Sequence, residues 1–270
     1  MNAAESVANK SSYHLFNPTP SEQMREMSTD RPDKTESPYT VDAGHFQVES
    51  DIANFSYDHD TAAGADIRTR SWSLGTLNLK VGLNNRSDLQ LVVPSWNHVR
   101  TDDQVAGTLT KQSGFGDLVA RLKVNLWGND SGDTALAVMP FVKFPSNTDA
   151  LGNKDYEGGL IVPLGIALSE NWSLGLMTEF DIIKDTASSG YHPEFINSIT
   201  VSRPIFGEVS AYLEFFSAVS AERGTPWIGT VDCGITWGIT KNMQLDCGIN
   251  FGVTRAAEDM NPFLGFTFRY

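Results

Sequence analysis

Asp117-Leu118-Val119-Ala120-Arg121-Leu122-Lys123-Val124-Asn125-Leu126 is the stretch on which the fold turns. Leu118, Ala120, Leu122, Val124 and Leu126 alternate with Asp117, Val119, Arg121, Lys123 and Asn125. In an extended strand successive side chains point to opposite faces, so this segment has one apolar face and one mostly charged face. The same alternation returns in Leu160, Val162, Leu164, Ile166 and Leu168, in Trp172, Leu174, Leu176, Phe180 and Ile182, and in Met243, Leu245, Cys247, Ile249, Phe251 and Val253. Helical spacing does not recur after Gly44.

Working outward, this period predicts twelve strands at about 44–57, 70–83, 88–99, 114–126, 134–145, 157–168, 171–183, 191–202, 207–218, 226–238, 242–253 and 262–270. The connectors alternate in length. Short ones fall at 84–87, 127–133, 169–170, 203–206 and 239–241, and long ones at 58–69, 100–113, 146–156, 184–190, 219–225 and 254–261. A soluble β-sandwich also alternates, but its strands average about 5 to 6 residues. These alternations persist for roughly ten, near the 9 to 11 that a tilted strand needs to cross a bilayer. Tight turns at one rim and longer loops at the other describe an outer-membrane barrel, with both termini periplasmic when the strand number is even. The expectation is all-β: an antiparallel transmembrane β-barrel of about 12 strands in a Gram-negative outer membrane, preceded by an irregular or short-helix extension.

Composition agrees. The chain has 270 residues, 40% hydrophobic and 20% charged, and its longest uncharged apolar stretch, 158–169, is interrupted by Pro163. That is too short for a transmembrane helix, which needs about 20 residues. The formal charge of −13 and the lack of a Lys/Arg cluster argue against nucleic acid as a partner. Residues 1–66 carry 12 Asp or Glu against 4 Lys or Arg, leaving 21 against 16 in the remainder. The first 43 residues are too polar to bury a core of their own, which divides the chain into an extension (1–43) and a barrel (44–270). Within the extension, Thr19-Pro20-Ser21-Glu22 reads as a capping box opening a helix of about two turns through Met27. No apolar h-region follows Met1, so no export signal is legible in these residues.

On this topology Trp127, Trp172, Trp237 and Tyr270 fall at the periplasmic rim and Tyr191 and Trp227 at the other, as interfacial aromatics do. The chain ends Leu264-Gly265-Phe266-Thr267-Phe268-Arg269-Tyr270, which resembles the C-terminal signal read by outer-membrane assembly machinery. Gly114-Phe115-Gly116-Asp117, Trp127-Gly128-Asn129-Asp130, Met139-Pro140-Phe141-Val142-Lys143-Phe144-Pro145 and Gly158-Gly159-Leu160-Ile161-Val162-Pro163-Leu164 resemble the outer-membrane transporter family of the meta-pathway of phenol degradation. Asp30-Arg31-Pro32-Asp33 and 41–49 are similar to the start of its members, so the resemblance covers most of the chain. It implies a channel for small organic molecules, with small organic solutes and outer-membrane lipids as its partners; the motifs specify the barrel better than the cargo.

Facilitated diffusion of small hydrophobic or aromatic molecules is therefore the expected function, with no cofactor and no enzymatic step. A non-transporting structural or loop-binding barrel and a lipid-modifying enzyme are the alternatives. Inward positions predicted to line a pore include Asp117, Arg121, Lys123, Lys143, Glu179, Asp181, Glu208, Glu214, Asp232 and Asp246. Bases gather on the fourth and fifth strands and acids on the seventh to eleventh, which predicts a transverse field. Arg25, Arg31 and Lys34 of the extension could meet that acidic wall as a plug; a loose periplasmic tail is the other reading. For an enzyme, a Ser/His arrangement would be needed, and His14, His45, His59, His98 and His192 show no Ser partner at a recognisable spacing. Asp58-His59-Asp60 reads as a solvated acidic loop, so no metal is assigned. Cys233 and Cys247 both face lipid, in a register that would set them opposite each other.

Overall fold

Period-two segments do become strands: β1 (Phe46–Asp60), β2 (Ile67–Asn84), β3 (Ser87–Asp103), β4 (Thr108–Gly114), β5 (Leu118–Trp127), β6 (Thr134–Phe144), β7 (Glu157–Ser169), β8 (Trp172–Lys184), β9 (Tyr191–Phe206), β10 (Val209–Ser220), β11 (Ile228–Thr240), β12 (Met243–Gly252) and β13 (Met260–Arg269). The computed structural model describes residues 9–186 and 188–270; residues 1–8 of the expected extension lie outside them. Neighbouring strands run antiparallel, and β13 returns to β1 with Gln47 opposite Arg269 and Ser50 opposite Phe266, which closes the sheet on itself. Closure leaves β1–β3 and β5–β13 each with a neighbour on both sides around the ring, and β4 alone among the described strands pairs on one side.

The barrel has twelve wall positions because β4 and β5 share one. β3 pairs with β5 through Ser87–Val92 and with β4 through Asn97–Asp103. The segment 100–113, expected to be a loop, is thus mostly a β-hairpin that prolongs the wall, with its turn at 104–107. The single strand expected over 114–126 is broken at Phe115-Gly116-Asp117. At the break the Gly116 N–H donates to Pro94 O (3.1 Å), and a Cβ on Gly116 would crowd the Pro94 ring. Beyond it, the free edge of β4 is met by a loop: Phe115 N donates to Thr148 Oγ1 (2.9 Å) and Gln112 Nε2 to Asp149 O (2.9 Å).

Polarity is inverted relative to a water-soluble fold. Among the most deeply buried side chains are Lys123, Gln47, Gln90, Glu49 and Glu214, whereas Leu213, Leu264, Ile199, Phe195 and Phe251 are exposed on the outside. A polar interior inside a continuous apolar band is what a barrel in lipid requires. Trp127, Trp172, Trp237 and Tyr270 are exposed at the short-turn rim and Tyr191 and Trp227 at the long-loop rim. Arg203 stacks its guanidinium over Trp172 at 4.9 Å, a cation–π contact at the short-turn rim.

Two local expectations are corrected. The helix through Met27 is a single 3₁₀ turn, Ser21–Gln23, without a side-chain cap. Its neighbours are drawn away by tertiary partners: the Arg25 N–H donates to Asp42 Oδ2 (3.0 Å), outside any helical pattern. Cys233 lies opposite Ile249, and Cys247 opposite Ile235. The β11–β12 turn falls at Lys241-Asn242, later than the expected 239–241, so the pairing is displaced by two residues from the expected register, and both thiols are free.

Candidate functional site

Residues 9–45 do not trail away from the barrel. The first part clips to its short-turn rim: Leu15 N donates to Leu83 O (2.9 Å), Lys10 Nζ to Asp130 Oδ1 (2.8 Å), and Arg25 Nη1 to the same carboxylate (3.1 Å). From Ser28 to Ala43 the chain then runs inside the barrel as a strap. Gln47 Nε2 of β1 donates to Ser28 O, Arg31 reaches Asp51 on β1 and Asp246 on β12, and Lys34 reaches Asp232 on β11. Thr35 meets Ser198 on β9 and Glu214 on β10, Glu36 meets Arg121 on β5, and Val41 N donates to Asp88 Oδ2 on β3 (2.9 Å). The strap therefore touches walls on opposite sides of the lumen before it enters β1.

Charge explains the path. The strap presents Asp30 and Glu36 to the basic side of the wall and Arg31 and Lys34 to the acidic side. The Asp30 carboxylate receives Lys123 Nζ (2.5 Å) and Lys80 Nζ, and Ser37 N donates to it at 3.0 Å, closing the 30–37 loop on itself. Burial alone would raise the Asp30 pKa, but Lys123 and Lys80 outweigh it and hold the carboxyl well below its ordinary range. Glu214 accepts hydrogen bonds from Lys34 N (2.8 Å), Thr35 N (2.8 Å) and Thr35 Oγ1 (2.6 Å). Buried carboxylates are tolerated when paired or multiply hydrogen-bonded in this way. Asp33 and Glu36 are placed less comfortably. Burial and the neighbouring Glu214 push Asp33 up to about 8; burial and Asp30 push Glu36 up to about 7.

Close approach demands small wall residues. A Cβ on Gly82 of β2 would meet the backbone carbonyl of Asp42, and one on Gly265 of β13 would meet the Arg31 guanidinium. The strap thus lies in recesses that only glycine leaves open.

Of the expected pore-lining residues, Arg121, Lys123, Glu214, Asp232 and Asp246 bind the strap directly. Lys143 pairs instead with Glu157 on β7 and lies 3.9 Å from Asp117, which also accepts from Asn147 N (3.0 Å). Glu179 and Asp181 lie on β8, where Asp181 is buried opposite Glu194 of β9. Glu208 is exposed in the tight turn between β9 and β10 and does not face the lumen, because β9 runs on to Phe206 and leaves only two residues for the turn. Sequence reasoning missed Asp30, Glu36, Glu49 and Lys80; the alternating signs of Asp30-Arg31-Pro32-Asp33-Lys34-Thr35-Glu36 were the available clue. It also missed a serine. His98 Nδ1 stands 2.6 Å from Ser113 Oγ across the β3–β4 hairpin, a contact between residues fifteen apart. Among the described residues no carboxylate or amide orients that imidazole from its other side, so a triad is not assembled.

An inverted barrel with a charge-matched chain across its interior can be set beside known proteins. The model of the family described as "Putative MetA-pathway of phenol degradation" matches residues 29–270, from the strap to the last residue. The chain belongs to that family. No curated protein matches it by sequence. Among solved structures, the COG4313 outer membrane channel from Pseudomonas putida F1 is similar in fold, with a TM-score of 0.64 at 16% identity over 90% of this chain and 100% of that one. The translocator domain of autotransporter NalP from Neisseria meningitidis gives 0.53 at 9% identity, covering 83% of this chain and 88% of that one. The NanC porin gives 0.52 at 10% identity, covering 83% and 98%. This member of the MetA-pathway family is therefore an outer-membrane β-barrel.

The inner wall of this family member is not uniformly polar. Met139 of β6, Ile161 of β7 and Met177 of β8 form a buried apolar cluster, with Phe141 and Ile196 packed against it. The strap borders that cluster, since Glu36 N approaches Met177 Sδ at 3.4 Å.

Proposed function

We propose that this chain is a channel through which small hydrophobic or aromatic molecules cross the outer membrane by facilitated diffusion, with the strap as its plug and gate. The observation that carries this reading is the juxtaposition of the strap with the Met139–Ile161–Met177 cluster. An apolar inner surface is wasted on ions and favours uncharged organic solutes, and the paired charges beside it hold a removable obstacle. The strap is held by ion pairs and hydrogen bonds to separate strands, so the docked state rests on pairs that can open one after another. In this reading the wall charges bind the strap when the channel is closed and line the pore when it is open, and the termini lie on the periplasmic side. The exposed C-terminal strand end, with Tyr270 at the rim, is the part that assembly machinery would read. No step of the proposed passage needs a cofactor or a covalent intermediate.

The test is single-channel conductance of the refolded full chain in a planar bilayer, with and without residues 1–40, followed by current block with mono-aromatic solutes. Larger, steadier conductance on deletion, blocked more by aromatic solutes than by sugars of similar size, is the expected result. Equal silence in both forms would refute the plugged-channel reading.

A further inference from the structure

The long-loop rim carries a side-chain cluster that transport does not use. Asp185 follows β8, His192 is the second residue of β9, and Glu222 lies in the connection between β10 and β11. One ligand atom from each lies within 4.8 Å of the others, and His192 Nδ1 stands 2.9 Å from Asp185 Oδ1. Their surroundings hold them in place. Ser188 Oγ donates to the other Asp185 oxygen, Gly190 N donates to Ser188 Oγ (2.9 Å), and Thr186 donates to Glu222 from both its N–H (2.9 Å) and its hydroxyl (3.0 Å). The space itself depends on Gly190: a Cβ there would stand 2.7 Å from Asp185 Oδ2. The β10–β11 connection is also joined to the start of β9 by backbone, Ala221 N donating to Pro193 O (2.9 Å).

We propose that Asp185, His192 and Glu222 form a binding site for a dication of the zinc class, which ties the β8–β9 loop to the β10–β11 loop. Zinc takes imidazole nitrogen and carboxylate oxygen together in three-ligand sets that leave a fourth position for water. Ligands around tetrahedral zinc stand about 3.4 Å apart, so small side-chain rotations suffice, and the metal takes the place of the hydrogen bond between His192 and Asp185. Calcium and magnesium prefer an all-oxygen shell, so the imidazole selects against them. Thr186 and Ser188 hold the ligating carboxylates, the role that outer-shell hydrogen bonds play at metal sites. The inference is independent of the transport reading, because it concerns only the loops.

The experiment is calorimetric titration of zinc chloride into the full chain refolded in detergent, with folding of each variant checked by its heat-dependent gel mobility. One saturable zinc per chain is expected, lost in His192→Gln and in Asp185→Asn, and weakened about tenfold in Thr186→Ala. The Cys233→Ser/Cys247→Ser double variant and His59→Ala should bind like the wild type. Should Asp185→Asn fail to fold, His192→Gln alone decides. The proposal is overturned if the wild type shows no saturable site, if His192→Gln binds zinc unchanged, if the cysteine variant loses the site, or if calcium binds as well as zinc.

Discussion

Arg31 and Asp246 are 215 residues apart in sequence, and in the barrel Arg31 Nη2 donates to Asp246 Oδ1 at 2.8 Å. This pair fastens the N-terminal strap to β12, with Asp51 of β1 as the second partner of the same guanidinium. Asp246 is fully buried, so its neutral replacement leaves a guanidinium facing one carboxylate where it now faces two. Breaking a buried pair costs about 3 kcal/mol. Asp246→Asn should therefore raise the open probability of the channel while leaving the β-sheet signal unchanged, measured by single-channel recording and circular dichroism. Unaltered gating in Asp246→Asn and Arg31→Gln would remove the pair from the mechanism.

Strap docking should weaken as pH rises from about 5 to 9. The pKa values of Asp33 and Glu36 are raised on docking, to about 8 and about 7, so the docked state binds more protons than the free one. Stability from such groups is present below their ordinary range and is lost as pH rises through the raised values. Asp30 runs the other way, because its pKa is lowered and its contribution fades only in strong acid. Conductance recorded across this range should grow toward alkaline pH, and a flat or falling profile would contradict the assignment.

Gly82 tests the fit of the strap to the wall. A methyl group there would strike the Asp42 carbonyl, which is backbone and cannot rotate aside. Gly82→Ala should destabilise the docked chain by about 1–3 kcal/mol, the usual cost of overpacking. Faster trypsin cleavage after Lys34 in the folded barrel is the measurable outcome; protection equal to wild type would show that the strap tolerates the methyl group.

Leu213 lies on the outer face of β10, 59% exposed and opposite Val201 and Cys233. Arginine at a lipid-facing site near the bilayer midplane costs about 2–4 kcal/mol. Leu213→Arg should shift the urea midpoint of folding into vesicles, whereas the same change at exposed Glu208, in the turn, should leave it within error.

Cys233 and Cys247 are offset by two residues in the β11–β12 pairing. Two thiols should titrate after denaturation without reductant, and finding none would mean that the register is wrong.

By itself the sequence determined the class of fold, because strand period and loop length are local quantities. Leu118 to Leu126 shows which face is apolar without reference to any other strand, and the twelve-position closed barrel follows from repeating that reading along the chain. Local pattern also set Lys123, Glu214 and Asp246 on the buried face of their strands, since successive side chains alternate between faces. It failed at Glu208, where four further residues of β9, through Phe206, carried the acid into the turn, and at the cysteines, where the β11–β12 turn falls later than expected and moves the register. The helix expected after Thr19 failed for a different reason: capping is a weak local preference, and Arg25 gains more from Asp42, Asn85 and Asp130 than one further turn of helix offers. Only the tertiary structure decided what the charges do. Asp30 between Lys80 and Lys123, Arg31 on Asp246, and Thr35 on Glu214 join residues that no period or spacing relates. These partners become neighbours only when the ring of strands closes and sets each register, and a buried charge must then find a partner that closure has brought within reach.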